Sequence, residues 1–236
     1  MAIQTWQVHR YTAGRWEEDS DTLAVETDLK VYLDGEFLRS LLFLPQNPEL
    51  LVLGYLFNTG LISGAHEVKT MTVDLERHQV WVTRSNLEQE PPHSSVLSST
   101  EPSLSPGTIL KLADILSQNR LFQQTGAVHC GLLACHDSVI FSTEDTGRLN
   151  VLDKLAGFAL TEHPATRELV LVFSGRLTGE VMRRVARMRI PIVVSPAAPT
   201  SKGLKIAVAN NITVVGFARG KRFNLYTYPE RVIGKG

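Results

Sequence analysis

The sequence predicts an α/β protein in which helices cover both faces of a mostly parallel sheet. After about residue 108, short apolar runs alternate with segments of helical period. In two of those runs, Glu168 to Phe173 and Pro191 to Ser195, every residue except the terminal Glu168 and Ser195 is apolar, which is typical of strands buried on both faces. A length of 236 residues with 43% hydrophobic and 20% charged residues fits one large domain, or one domain with a smaller companion.

The first 85 residues are predicted to form a smaller α+β region. A hairpin is expected at Asp34-Gly35, because this dipeptide favours a tight turn between strands. Asn47-Pro48 predicts a helix start with Asn47 as the N-cap, and Gly60 predicts its end. The strands expected around these features are Lys30 to Leu33, Phe37 to Leu42, Val68 to Val73 and Gln79 to Thr83.

A segment rich in proline and serine, residues 86–107, is predicted to be a mobile loop that separates this region from the core, residues 108–236. Ser105-Pro106 predicts the start of the first core helix. The remaining elements are expected as strands at Val128 to Ala134, Val139 to Thr143, Glu168 to Phe173, Pro191 to Ser195 and Ile212 to Phe217, with helices from Asn150, over Thr178 to Arg189 and over Pro199 to Asn210.

Composition limits the classes of partner and location. The formal net charge is zero, which argues against a general nucleic-acid or anionic-membrane binder. The N-terminus has no apolar segment typical of a signal peptide, and no run approaches the ~20 apolar residues of a membrane-spanning helix. The two cysteines, Cys130 and Cys135, do not form a disulfide framework. We therefore expect a cytoplasmic protein.

Polar and basic residues recur at the carboxyl ends of the predicted strands, where α/β sheets bind ligands. Arginines and hydroxyl groups that converge there suit a phosphate-bearing ligand. The segments concerned are Asp145-Thr-Gly-Arg148, Ser174-Gly-Arg176, Ser195 with Pro199-Thr200, and Phe217-Ala-Arg-Gly-Lys-Arg222.

The segment Glu144 to Lys154 joins a predicted strand to a predicted helix. A helix start offers unpaired N–H groups, Gly147 allows close backbone approach, and Arg148 can contact an anion. From the local pattern alone, an ordinary strand-to-helix turn with a surface salt bridge remains slightly favoured over a ligand site.

The sequence lacks the motifs that several kinds of enzyme need. A zinc deaminase needs His-x-Glu and Cys-x-x-Cys, and a P-loop needs its glycine-lysine motif; neither pattern is present. Cys130 is a candidate nucleophile beside His129, although neighbouring strand residues point to opposite faces. A small buried strand residue is the commoner role for such a cysteine.

With these motifs in place, the sequence resembles the formate dehydrogenase accessory sulfurtransferases of the FdhD family. The family signature Thr-Gly-Gly-x-His is matched by Thr125 to His129, and Glu-Asp-x-Gly-Arg-His-Asn-Ala-x-Asp-Lys by Glu144 to Lys154. The other matching segments are Leu51 to Leu56 with Thr59-Gly60, Ser174 to Arg176, Ala198 to Thr200, Gly216 to Arg219 and Asn224 to Thr227.

The resemblance implies a cytidine deaminase-like three-layer α/β/α core without zinc. It implies a molybdenum bis-guanine-dinucleotide cofactor, or a GDP-like ligand, with formate dehydrogenase or a related molybdoenzyme as client. A cysteine desulfurase and a second copy of the chain are further candidate partners. The candidate cofactor-binding residues are His129, Asp145, Gly147, Arg148, Asn150, Asp153, Lys154, Ser174, Gly175, Arg176, Ser195, Thr200, Phe217, Ala218, Arg219, Gly220, Lys221 and Arg222; Cys130 is the candidate catalytic residue.

Two departures from the family pattern concern sulfur chemistry. The family's Cys-Gly-x-Cys-Gly loop corresponds here to His93 to Thr100, which contains no cysteine, and Leu149 replaces the signature histidine. A serine cannot carry a persulfide, because that role needs a thiolate. Three interpretations stay open: cofactor binding without sulfur relay, which is favoured; sulfur relay through Cys130; or a different guanine-nucleotide-like ligand and client.

Overall fold

The computed structural model describes residues 2–85, 102–162 and 166–234. The strands are β1 Ile3–Thr12, β2 Arg15–Ala24, β3 Thr27–Leu33, β4 Glu36–Phe43, β5 Val68–Asp74, β6 Gln79–Arg84, β7 His129–Cys135, β8 Ser138–Asp145, β9 Leu169–Phe173, β10 Ile192–Val194, β11 Thr213–Arg219 and β12 Arg222–Leu225. The α-helices are α1 Pro48–Thr59, α2 Pro106–Ser117, α3 Arg120–Thr125, α4 Arg148–Glu162, α5 Gly179–Arg187 and α6 Ser201–Ala209.

The central sheet has the strand order β12-β11-β10-β9-β7-β8 in the described residues. Strands β9, β10 and β11 are parallel, whereas β7 is antiparallel to both β8 and β9, and β12 is antiparallel to β11. The prediction of a mostly parallel sheet was therefore wrong. A short turn after β7 returns the chain as an antiparallel partner, and only the later strands are joined by helical crossovers that allow parallel pairing.

Helices cover this sheet on both faces, which confirms the α/β class and the three-layer arrangement. On one face, α4, α5 and α6 pack over apolar residues such as Leu171 and Val193. On the other face, α2 and α3 pack over residues such as Val172 and Val194. The alternation of neighbouring β9 residues between the two cores follows from the two-residue period of a strand. No helix in the described part of the chain is long and apolar enough to cross a membrane.

The second sheet, of order β4-β3-β6-β5, packs on α1 and forms a core of its own. The predicted hairpin at Asp34-Gly35 is confirmed, and both residues have positive φ, 53° and 88°. The helix ends at Gly60 as predicted, with a φ of 83°. The prediction that the Asn47 side chain caps this helix was wrong. Asn47 has left-handed backbone angles, and its side chain makes no capping hydrogen bond.

The two sheets are joined where α1 and α4 cross. A Cβ atom on Gly54 would lie 1.7 Å from the carbonyl oxygen of Asp153, and one on Gly157 would lie 2.1 Å from that of Leu50. Both helices therefore need glycine at the crossing, since any side chain would force the backbones apart. This close approach fixes the N-terminal sheet against the start of α4, where the family signature lies.

The predicted core helices and strands are confirmed to within a few residues, and Ser105 caps α2 by accepting from the N–H of Thr108 at 3.0 Å. Sequence reasoning missed the β1–β2 ribbon, α3 and β12. Most of the predicted mobile loop, residues 86–101, lies outside the described residues, and the division into an N-terminal region and a core at residues 85 and 108 stays a prediction.

Candidate functional site

The candidate site is one edge of the central sheet. Strands β8, β9, β10 and β11 run in one direction and β7 and β12 in the other, so four carboxyl ends and two amino ends meet at this edge. The predicted segments after these strands, together with His129 at the start of β7 and Arg222 at the start of β12, all lie there. At about 4.8 Å per strand, the edge spans about 24 Å, long enough for a dinucleotide-sized ligand.

Ser174 and His129 form the middle of the edge. The Ser174 hydroxyl accepts a hydrogen bond from the Cys130 backbone N–H at 2.9 Å and lies 3.3 Å from His129 Nδ1. The imidazole stacks on the buried Phe173 ring, with centroids 6.2 Å apart. Burial, and then the nearby Arg148 charge, lower the pKa of His129, so the neutral imidazole is favoured in the folded protein.

Gly175 makes this arrangement sterically feasible. A Cβ atom there would lie 2.7 Å from the Phe173 ring and 3.6 Å from His129 Nδ1. The buried Ser195 hydroxyl donates to the Gly175 carbonyl oxygen at 2.9 Å and accepts from the Ala197 N–H at 3.0 Å. The Ser195 hydroxyl thus connects the ends of β9 and β10 by hydrogen bonds and fixes the Ser174-Gly175-Arg176 turn.

Phe217 has a strained backbone at the end of β11. Its φ is 55°, a left-handed value that costs a non-glycine residue about 1–2 kcal/mol, and the β11–β12 register shifts at the same place. Two backbone hydrogen bonds stabilise the bulge. The N–H of Phe217 donates to the carbonyl oxygen of Ala197, and the N–H of the buried Ala218 donates to that of Ser195. Strain kept by surrounding bonds is characteristic of functional sites.

The hairpin after the bulge carries the basic residues of this end. Arg219 pairs with Arg222 across the turn formed by Gly220, which has a φ of 61°, and Lys221. The side chains of Arg219, Lys221 and Arg222 are exposed. Three cations on one short turn repel one another, which makes the turn a favourable place for a polyanion.

Three helices start at the same edge. Helix α4 follows β8, α5 follows β9 and α6 follows β10, so their N-terminal ends add partial positive charge to the rim. The Thr200 hydroxyl caps α6 by accepting a hydrogen bond from the Gly203 N–H at 3.1 Å, so it stabilises the start of this helix. Arg176 is exposed beside these helix ends, and Arg148 is half-buried with its guanidinium 3.8 Å from the Glu180 carboxylate.

Several charged residues of the Glu144 to Lys154 segment lie in the interior. Asp145 and Lys154 form an ion pair of 2.7 Å, and both side chains are completely buried. The Asp145 carboxylate also accepts from the Gly147 N–H and from the Asn150 amide, both at 2.8 Å. The side chains of Asp145 and Lys154 therefore stabilise the strand-to-helix turn and do not face a ligand. The buried pair is neither the surface salt bridge nor the ligand site that the sequence suggested for this segment.

Asp153 has a similar internal role. Its carboxylate accepts from the Arg184 guanidinium at 2.9 Å and from the Asn58 amide at 2.8 Å, which ties α4 to α5 and α1. Burial raises the pKa of Asp153, while Arg184 and Asn58 act in the opposite direction. Of the predicted site residues, Asp145, Asp153, Lys154, Ser195 and Thr200 therefore support the edge, whereas His129, Arg148, Arg176 and the Arg219 to Arg222 turn line it.

Comparison with known proteins shows the family to which this fold and these motifs belong. The sequence profile of the FdhD/NarQ family matches residues 24–100 and 88–233. The chain belongs to the FdhD/NarQ family. The sulfur carrier protein FdhD of Bacillus subtilis is 32% identical over 250 residues, covering 95% of each chain. That of Bacillus licheniformis is 31% identical over 251 residues, covering 96% of this chain and 95% of the relative.

A solved structure supports the fold. The crystal structure of a protein assigned as a formate dehydrogenase accessory protein from Desulfotalea psychrophila superimposes with a TM-score of 0.87 at 26% identity. The match covers 99% of this chain and 100% of that one. The resemblance drawn from the signature segments is thus confirmed at the level of family and fold.

Of the two places where this chain differs from the FdhD signature, the structure describes Leu149. Leu149, where the family signature has histidine, is half-buried and packs against the core beneath α4. The segment His93 to Thr100, which corresponds to the cysteine-containing family loop, lies outside the described residues. Its sequence contains no cysteine, and the chain has none besides Cys130 and Cys135.

Cys130 is a poor thiolate. It is 3% exposed and packs with α2 and α3, on the opposite face of β7 from the core that contains Phe173. Burial, and then the charge of Glu144, raise the pKa of Cys130 to about 12. The expectation that His129 and Cys130 point to opposite faces and do not pair is confirmed.

Sequence reasoning did not identify Glu180 as a member of the rim. It lies in the first turn of α5 and is 3.8 Å from both Arg148 and Arg184. The sequence does show an acid in the first helical turn after the Thr178 cap. Its contact with Arg148 could not be predicted, because that contact depends on how α4 packs against α5.

Proposed function

We propose that this FdhD-family protein binds a molybdenum bis-guanine-dinucleotide cofactor, or a GDP-like part of it, at the carboxyl edge of the central sheet. The convergence of exposed arginines with three helix starts along that edge is the observation that carries the proposal. The cofactor is cargo destined for a client enzyme. By likeness to the formate dehydrogenase accessory protein of known structure, we take that client to be a formate dehydrogenase or a related molybdoenzyme.

The groups at the edge fit such a ligand chemically. Arg148, Arg176 and the Arg219 to Arg222 turn supply guanidinium and ammonium groups for phosphate oxygens. Gly175 is buried against the Phe173 ring and shapes the turn, whereas the half-buried His129 offers a flat ring at the middle of the edge. The acids Asp145 and Asp153 are buried in ion pairs, so they do not repel an anion at the rim as exposed carboxylates would.

Sulfur relay is lost or altered in this proposal. A persulfide carrier needs a thiolate that solvent and a donor can reach, whereas Cys130 is buried with a pKa of about 12. Cys135 lies at the far end of β7, away from the rim. One alternative is a sulfurtransferase that uses Cys130, which the mass measurement below tests. The other is a guanine-nucleotide-binding protein with a different client.

Calorimetry with GDP tests the binding site. Arg176→Ala and Arg219→Ala should each weaken binding by about 10- to 100-fold, the cost of about 1.5–3 kcal/mol for losing a charged hydrogen bond. Arg77→Ala, at a remote and exposed arginine, is the control and should leave the affinity unchanged. Absence of binding by the wild-type protein to both GDP and the intact cofactor would reject the proposal.

Intact mass measurement tests the sulfur step. The purified protein is incubated with a cysteine desulfurase and cysteine, and then weighed without reductant. We expect no added sulfur atom. An adduct that is lost in Cys130→Ala but retained in Cys135→Ala would instead identify Cys130 as a carrier and support the sulfurtransferase alternative.

A further inference from the structure

Glu180 places a carboxylate on an edge that is rich in arginines. It lies in the first turn of α5, and its side chain is 44% exposed. A carboxylate repels the phosphate groups of a nucleotide, so this side chain weakens a site that recognises phosphates alone. Its presence beside Arg148 is explained if it contacts a part of the ligand that donates hydrogen bonds.

The other acids near this edge have partners within the protein. Asp145 and Asp153 are buried in ion pairs, and Glu144 accepts a hydrogen bond from the Asn119 amide at 2.6 Å. Glu180 differs from them, because in the described part of the chain neither of its carboxylate oxygens accepts a hydrogen bond. Both oxygens therefore remain available as acceptors for a ligand.

Two arginines hold the Glu180 carboxylate in place. Its Oε2 atom lies 3.8 Å from Arg148 Nη2, and its Oε1 atom lies 3.8 Å from Arg184 Nη1. These are ion-pair distances, and they exceed the roughly 2.7–3.2 Å of an N–H···O hydrogen bond. Arg184 is itself fixed by its contact of 2.9 Å with the buried Asp153. The carboxylate is thus positioned by charge attraction without losing its acceptor capacity.

The His129 ring and the Glu180 carboxylate share Arg148 as a neighbour. The imidazole is half-buried and stacks on Phe173, and burial, followed by the charge of Arg148, lowers its pKa. The same arginine lies 3.8 Å from Glu180. A flat ring next to a pair of fixed acceptors suits a planar base that stacks and donates hydrogen bonds.

Among the common purine bases, guanine has the polar edge that a carboxylate recognises. Its N1–H and 2-amino groups are neighbouring donors, and they match the two oxygens of an ionised carboxylate, which only accepts. Adenine has an acceptor at N1, which is repelled by a carboxylate. Hypoxanthine keeps the N1–H but lacks the 2-amino group. One glutamate is therefore sufficient to discriminate among these three bases.

The spacing along the edge suits a whole nucleotide. Helix α5 starts after β9, whereas the Arg219 to Arg222 turn follows β11, two strands away. At about 4.8 Å per strand, the ends of these strands lie about 10 Å apart. The base and the terminal phosphate of a nucleoside diphosphate are at opposite ends of the molecule, so the two ends match Glu180 and the basic turn.

We propose that Glu180 selects guanine at the nucleotide site, accepting hydrogen bonds from N1–H and the 2-amino group while the base lies against His129. This role rests on the function proposed above, because Glu180 contacts the base of the same ligand. The basic turn binds the phosphates of any nucleoside diphosphate, whereas Glu180 makes the site prefer GDP.

Calorimetry with GDP, inosine diphosphate and ADP tests this selection. We expect the wild type to bind GDP about 10- to 100-fold more tightly than inosine diphosphate, which lacks one charge-assisted hydrogen bond, and to bind ADP more weakly still. Glu180→Ala should remove the preference for GDP and should bind ADP at least as tightly as the wild type, because a negative charge is lost. A purely structural role of Glu180 would instead weaken all three nucleotides equally and leave the preference intact.

Asp137→Ala is the matched control. It removes one exposed carboxylate at the β7–β8 turn, at the opposite end of the sheet, and should keep the wild-type preference. Glu180→Gln retains the shape of the side chain but only one acceptor oxygen, so it should also reduce the preference, and it replaces Glu180→Ala if that variant does not fold.

The outcomes separate the role of Glu180 from the site itself. A wild type that binds GDP no more tightly than inosine diphosphate, or a folded Glu180→Ala that keeps the preference, overturns the selection by Glu180 and leaves the nucleotide site standing. A wild type that binds neither GDP nor the intact cofactor rejects both the site and this role. A wild type that binds the cofactor but not GDP overturns this role alone.

Discussion

Lys154 Nζ lies 2.7 Å from Asp145 Oδ2, and neither side chain has any exposed surface. The ammonium group also donates to the carbonyl oxygen of Glu144 at 3.1 Å, while the carboxylate accepts from the backbone N–H of Leu44 at 3.3 Å. Burial lowers the pKa of Lys154, and the neighbouring Asp145 carboxylate counteracts that effect. The pair thus joins the start of α4 to the chain that leaves the N-terminal sheet, beneath the proposed binding edge.

Removing one member of this pair should be strongly destabilising. Lys154→Met leaves the Asp145 carboxylate buried without its counter-charge, so the free energy of unfolding should fall by about 3–5 kcal/mol. Combining it with Asp145→Asn should recover part of that loss, because no net charge then remains buried. Urea unfolding followed by circular dichroism measures both variants.

Lys111 provides the matched control for this experiment. Its ammonium group lies 2.9 Å from Asp137, but both side chains are more than half exposed. Lys111→Met should therefore change the free energy of unfolding by no more than about 1 kcal/mol. An equal effect of Lys111→Met and Lys154→Met would contradict a structural role for the buried pair.

The glycines at the α1–α4 crossing should resist substitution. Gly54→Ala and Gly157→Ala would each place a methyl group about 2 Å from a backbone carbonyl oxygen of the other helix, so the helices must separate. We expect a loss of about 1–3 kcal/mol or more for each variant, measured by thermal and urea unfolding.

Gly107→Ala is the control for the glycine substitutions. Gly107 lies in the first turn of α2, where an added Cβ would be in ordinary contact with Ser105 at 3.7 Å. Alanine is the better helix former by about 1 kcal/mol, so this variant should be neutral or more stable. If Gly54→Ala were equally benign, the close helix crossing would not be needed for stability.

The stability of the protein should decline in acid through His129. Its pKa is lowered in the folded state by burial and by Arg148, whereas the unfolded chain has a value of about 6.5. Between those two values the unfolded state binds more protons, so the free energy of unfolding falls as the pH drops below about 6.5. His129→Gln should reduce this slope, and His9→Gln, at an exposed ribbon position, should not. Identical pH profiles for His129→Gln and the wild type would refute this assignment.

The candidate site at the sheet edge could be predicted from the sequence because the residues that indicate it are neighbours in the chain. Continuous apolar runs identify β9 and β10, and the polar residues that follow, such as Ser174 to Arg176, must then lie at strand ends. The same locality explains why the hairpin at Asp34-Gly35 was found, since two residues determine that turn.

Other features depend on contacts between distant residues. The charges of Asp145 and Lys154 look like those of a surface turn, and their burial depends on Leu44, about 100 residues earlier in the chain. The antiparallel pairing of β7 with β9 likewise cannot be deduced from either strand alone. The β1–β2 ribbon was missed because its strands have no buried face and so lack an apolar alternation.

The two cysteines should differ in reactivity. Cys130 is buried with a pKa of about 12, whereas Cys135 at the end of β7 is partly exposed. At pH 8 the thiolate fraction of Cys130 is about a thousandfold below that of an ordinary thiol, so maleimide should label only Cys135 in the native protein. Cys135→Ser should then be unreactive until denaturant is added, and Cys130→Ser should react like the wild type. Rapid labelling of the native Cys135→Ser variant would show instead that Cys130 becomes accessible as a thiolate, and would reopen a sulfur-carrying role for it.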